Sequence, residues 1–75
     1  MKNADDRFMV EANKNGQLLL ARGRKGSVLV NRELAWSFAQ EYIARGAQVV
    51  NVSRQGKIVW SNIPSNIGRE QVSSY

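Results

Sequence analysis

The side chains best placed to do chemistry in this chain are cations. The stretch Arg-Gly-Arg-Lys-Gly at 22–26 holds Arg22, Arg24 and Lys25, three positive charges within four residues. Guanidinium and ammonium groups at that density can grip phosphate oxygens or an acidic protein surface. Arg54 and Lys57 flank a second tight turn later in the chain. If both turns lie at one end of a sheet, the five cations form a single basic rim. An ordinary solvated turn is the slightly better account of Arg22, Arg24 and Lys25, because three cations over four residues are common on surfaces.

The remaining reactive residues give no second constellation. Asp5, Asp6, Glu11, Glu33, Glu41 and Glu70 are dispersed, so no pair has the spacing of an acid and base or of metal ligands. Ser37 and the other serines have no base to activate them. The chain has no histidine and no cysteine, which removes the usual general base, thiolate metal sites and disulfides. Gly23 and Gly26 lack the Gly-Lys-Ser/Thr ending of a phosphate loop. The expectation is a protein that is not an enzyme and needs no cofactor or metal.

Eleven Lys and Arg against six Asp and Glu leave a net charge of +5, which favours acidic partners such as nucleic acid, a nucleoprotein or an acidic protein. No apolar run approaches the ~20 residues that span a bilayer, and the opening Met-Lys-Asn-Ala-Asp-Asp has none of the marks of a secretory leader. These features point to a soluble, cytoplasmic protein with no membrane partner.

The elements that must position the cations follow from periodicity. Phe8, Val10 and Ala12 alternate with Met9 and Glu11, as in a strand. Asn15-Gly16 supplies the positive φ of a tight hairpin, leading into a second strand at Gln17–Arg22. The glycine-bounded turn at 23–26 leads into a third strand, Ser27–Val30. The period then changes to that of a helix. Asn31 is a suitable N-cap, Glu33 falls in the first turn, Arg45 in the last, and Gly46 fits the left-handed position beyond the end. Ala35, Phe38, Ala39 and Tyr42 make the apolar stripe, with Leu34 and Ile43 on its flanks. Two more strands, at 47–53 and 57–61, are joined by a turn at Arg54–Gly56. The predicted fold is therefore α+β, an antiparallel sheet of about five strands in the order strand-strand-strand-helix-strand-strand, with one helix on one face. Residues 1–7 read as a flexible start, 8–61 as one domain and 62–75 as a tail.

One face of that sheet raises a question. If Phe8, Val10, Leu18, Leu20, Val28, Val30, Val50, Val52, Ile58 and Trp60 point to the helix, the opposite face carries Met9, Leu19, Ala21, Leu29, Val49 and Val59. A sheet with one wet face should alternate more cleanly. The tail, a second copy of the chain or a foreign partner would have to cover Met9, Leu19, Leu29, Val49 and Val59. Trp36 and Trp60 read as core residues rather than stacking platforms.

The stretches Asn-Lys-Asn-Gly-Gln-Leu-Leu-Leu (13–20) and Gly-Ala-Gln-Val-Val-Asn-Val-Ser-Arg-Gln-Gly-Lys-Ile-Val-Trp (46–60) resemble a family of small bacterial and phage proteins over residues 8–60. Their order of elements is also similar to that of some small phage anti-CRISPR proteins. That family's frequent tryptophan in the second strand is missing, and Ile63–Tyr75 has no counterpart in it. The resemblance implies a non-enzymatic binder, in its sharpest form a phage or mobile-element inhibitor that docks on a protein or nucleoprotein complex. Direct nucleic-acid binding through the basic rim and a structural homodimer are the alternatives.

Overall fold

Asn15 and Gly16 both take positive φ, +54° and +81°, the backbone twist that a two-residue hairpin requires. They fold β1 (Phe8–Lys14) onto β2 (Gln17–Leu20). Gln55 and Gly56 repeat that geometry at +54° and +82°, joining β3 (Val49–Arg54) to β4 (Lys57–Ser61). Between the hairpins lies helix α1 (Arg32–Ala44). Asn31 caps it, its Oδ1 accepting the Leu34 N–H at 2.8 Å. Arg45 is the C-cap rather than a residue of the last turn, and Gly46 follows at φ +90°. This is a computed structural model, and it describes residues 7–70. Most of the expected flexible start (1–6) and the end of the tail (71–75) lie outside the described residues.

The sheet is antiparallel, with four strands in the order β2-β1-β3-β4 and one helix against it. The α+β class holds. The strand count does not, because Ser27–Val30 forms no strand. Ser27 Oγ accepts the Leu29 N–H and donates to the Leu29 carbonyl, both at 3.1 Å. These local bonds occupy backbone groups that a ladder would use. What remains is a single bridge: Phe8 N–H donates to Val30 O at 2.9 Å, and Val30 N–H to Phe8 O at 2.8 Å. Ala21 N–H donates to Val10 O at 3.0 Å, next along that strand. The chain therefore leaves β1 after Ala21, swings out through 22–29, and returns at Val30 to take the place that a longer β2 would have filled. Val28, expected on the helix side of a strand, is a half-buried loop residue.

The core lies between α1 and the sheet. Val10, Val50 and Val52 are fully buried, with Phe8, Ala12, Ala21 and Val30 around them. Ala35 and Ala39 meet them from the helix, and their small side chains let α1 lie close to the valines. Trp36 packs edge-to-face on Trp60, centroids 5.5 Å apart and planes at 82°, tying the helix to β4. Both tryptophans are half-buried against the core, as expected.

Two strands present the opposite parity from the one expected. Ala12 pairs with Leu19, and Glu11 with Leu20. Directly paired residues share a face, so Leu19 points to the helix with Ala12, while Leu18 and Leu20 lie on the other side. Ala21, likewise expected outside, is a core residue at 4% exposure. In β4 a bulge intervenes: Val52 pairs with Trp60, but the next residue, Ser53, pairs with Ile58. Val59 is the extra residue. Ile58 thus shares the face of Ser53 rather than that of Val52, and it is absent from the helix-side cluster although buried. A one-residue shift reverses every side chain beyond it.

After β4, a short 3-10 turn (Pro64–Asn66) reverses the chain. The return segment runs beside β4: Ile58 N–H donates to Arg69 O at 2.8 Å, Gly68 N–H to Ile58 O at 2.7 Å, and the backbones of Lys57 and Glu70 form an isolated antiparallel bridge. Among the described residues, no helix is long and apolar enough to cross a membrane.

Candidate functional site: a basic end and its cleft

Register brings the cations together. Phe8 pairs with Arg54 on one side and Val30 on the other, so the β3–β4 turn, the 22–29 loop and the start of α1 all lie at one end of the sheet. Arg22, Arg24, Lys25, Arg54 and Lys57 therefore share an end, as the sequence analysis required for a rim. They are not one tight cluster. The loop hangs at the β2 edge and Lys57 sits on β4, three strand spacings or roughly 14 Å across. The structure adds Arg7 just before β1, Arg32 at the first helical position and Arg69 in the return segment. Of the described cations, only Lys14 and Arg45 belong to the opposite end.

The ion pair between described residues, Arg45 to Glu41 at 3.5 Å, is at that opposite end and well exposed. Among the described residues, Glu33 and Glu70 make no ion pair with a cation of the basic end. Its cations nevertheless play different parts. Arg22 donates from Nη1 to the Gly26 carbonyl at 3.0 Å and so braces the loop. Gly23 N–H donates to Ser27 O at 2.8 Å, and Gly26 N–H to Gly23 O at 3.0 Å. Arg54 lies over the Phe8 ring, 5.7 Å from its centroid, and its buried Nε has no hydrogen-bond partner among the described residues. Arg24, Lys25 and Lys57 are exposed to solvent.

Between the loop and the first turn of α1 opens a cleft of about 830 Å³. Arg7, Arg24 and Lys25 line it together with Asn31, Leu29 and Leu34. Leu29 is 47% exposed and Leu34 is 38% exposed, so the cleft pairs cations with accessible hydrocarbon. Gly23 lets the loop close: a Cβ there would stand 3.3 Å from Val30 Cγ1, tighter than side chains ordinarily pack. Reading the sequence alone missed Arg7, Arg32, Arg69 and Leu34. The return of the chain at Val30 brings Arg7, Arg32 and Leu34 together and the return beside β4 adds Arg69, and neither has a local motif.

The apolar face proposed from the sequence is dispersed. Met9 and Val49 do lie on the side away from the helix, paired with Ser53 and Asn13. Leu19 lies on the helix side, Leu29 belongs to the basic cleft, and Val59 sits at the bulge with 43% exposure. Val49 also lines a smaller cavity of about 210 Å³ with Glu11, Asn13, Leu18 and Asn51. That face is not bare, since Glu11, Ser53 and Ser61 are all nine-tenths shielded.

The described residues contain no group of acidic, histidine or cysteine side chains that could hold a metal. One perturbed ionisation lies outside the basic end: burial raises the Tyr42 phenol above its ordinary value, with Arg45 opposing and Glu41 assisting. What the basic end offers chemically is a set of exposed, hydrogen-bond-donating cations beside an apolar wall. Compared with protein-family models, with curated proteins and with solved structures, the chain matches none.

Proposed function

We propose that the protein is a non-catalytic binding module that docks its basic end on a protein or nucleoprotein partner, with a phage or mobile-element inhibitor as the sharpest form of that role. The observation that carries the reading is the gathering of Arg7, Arg22, Arg24, Lys25, Arg32, Arg54, Lys57 and Arg69 at one end, where Glu33 and Glu70 make no ion pair with them among the described residues. Like charges held together repel one another, so beyond the Arg22 brace and the Arg54–Phe8 contact the array adds nothing favourable to the fold. Its favourable term comes from an acidic surface, which it would attract and orient during approach. The inhibitor form rests on the resemblance of residues 13–20 and 46–60 to small phage proteins.

Direct binding of free nucleic acid is the second reading, and the same cations favour it. Titrating labelled duplex and single-stranded oligonucleotides at two salt concentrations separates the two. A phosphate grip that neutralises about three to five charges on duplex gives log affinity falling with log salt at a slope of roughly −3 to −4.5. The docking reading expects weak binding or none. Micromolar, salt-steep binding that disappears in the Arg24→Glu, Lys25→Glu double variant would overturn it in favour of nucleic acid.

A further inference from the structure

The cleft between the 22–29 loop and α1 narrows the choice of partner, on the footing that the basic end is the docking surface. We infer that it receives an acidic segment of a protein, whose carboxylates meet Arg7, Arg24 and Lys25 while a large apolar side chain of the same segment seats against Leu29 and Leu34.

Three observations carry this. The first is capacity. At about 830 Å³ the cleft, open to solvent along one side, has the room of a ligand site, ~300–1,000 Å³, enough for several side chains of a peptide segment. The second is its wall. Leu29 and Leu34 expose 47% and 38% of their surface beside three cations, and that hydrocarbon gains from an apolar ligand group but not from a sugar–phosphate backbone. Among the described residues, no aromatic side chain lines the cleft. Trp36 and Trp60 are turned on each other, and Phe8 lies beneath Arg54. A single-strand binder stacks bases on aromatic rings, and none is offered here among the described residues. The third is preorganisation. Arg22 to Gly26, Gly23 to Ser27 and Ser27 to Leu29 are hydrogen-bonded across the loop, so the cleft is formed before a ligand arrives and less ordering entropy opposes binding. The positive end of the α1 dipole adds to the preference for carboxylates at its mouth.

The test uses the full chain and three labelled probes in fluorescence anisotropy. One is a dodecapeptide of aspartate and glutamate with a central leucine–phenylalanine pair. The second has serines in place of that pair, and the third is a single-stranded oligonucleotide of equal charge. The apolar peptide should bind about tenfold more tightly than the serine peptide, equivalent to about 1.4 kcal/mol. It should also retain more of its affinity as salt rises, because burial of hydrocarbon is not screened. The Leu29→Asn, Leu34→Gln double variant, changed only at exposed positions and checked by its melting temperature, should erase the difference between the peptides. Lys25→Gln should weaken both. Equal binding of the two peptides, or tighter binding of the oligonucleotide untouched by the leucine changes, would overturn the inference while leaving the basic end as the docking surface. Binding of none of the probes at low salt would remove that surface as well, and the inference with it.

Discussion

Asn31 ends the 22–30 excursion and starts the helix with one hydrogen bond, its Oδ1 accepting the Leu34 N–H at 2.8 Å. That bond satisfies a backbone donor that the first helical turn cannot satisfy internally. Replacing the side chain by alanine should cost about 1 kcal/mol, within the ~0.5–2 kcal/mol typical of lost caps. In a domain of this size that lowers the melting temperature by roughly 4–8 °C. Asn31→Asp keeps an acceptor in place and should melt close to wild type. Thermal unfolding by circular dichroism decides it, and an alanine variant as stable as the parent would mean the cap bond carries no weight. The contrast with Arg54 is instructive. Its guanidinium is spent on the Phe8 ring, so a cation that looks equivalent in sequence to Lys57 is partly a packing residue.

Adjacent leucines in β2 offer a direct check of register. Leu19 pairs with Ala12 and packs on the core, whereas Leu18 pairs with Asn13 and is 50% exposed. Leu19→Glu should lose a large part of the about 1.5–3 kcal/mol that a fully buried leucine is worth, while Leu18→Glu should stay within about 0.5 kcal/mol of wild type. Urea unfolding of the two variants measures this, and the reverse order would mean that β2 is slipped by one residue. Elements governed by neighbouring residues were legible from the sequence. Asn31, Gly46, Asn15-Gly16 and the Gln55-Gly56 turn each specify their own backbone, and the helix with both hairpins followed from them. Elements governed by distant pairing were not. Leu18, Leu19 and Leu20 are apolar on both sides and give no alternation from which parity could be read. The bulge beside Ser53 leaves no mark in composition, and Ser27–Val30 looks like a strand until Ser27 is seen to take the Leu29 backbone for itself. The site divides in the same way: Arg24 and Lys25 are evident from their density, whereas Arg7, Arg32 and Leu34 join them only through the Val30–Phe8 bridge.

On the scale of the whole molecule, charge is polarised along the strands, with only Lys14 and Arg45 of the described cations at the far end and Arg45 already paired with Glu41. At physiological salt, where fields decay over ~8 Å, a partner meeting the basic end feels a field that one meeting the other end does not. The loop that carries part of this charge is attached in an unusual manner. Both its ends hang from the same edge of β1, Ala21 on Val10 and Val30 on Phe8, and neither the β1–β3 nor the β3–β4 ladder passes through it. Inserting Gly-Ser-Gly between Arg24 and Lys25 should therefore cost no more than about 2 kcal/mol, covering loop closure and a lost turn bond. The same insertion between Gln55 and Gly56 should cost more, because it dissolves a two-residue turn that sets the β3–β4 register. Comparative melting of the two insertions tests this, and equal losses would mean that the loop is as integral to the sheet as the hairpin. It follows that the tip of this loop, Arg24 and Lys25, is a graftable unit: held by Gly23 and Arg22 on one side and Ser27 on the other, its length and lettering can be rewritten to suit a different target while the sheet keeps its own pairing.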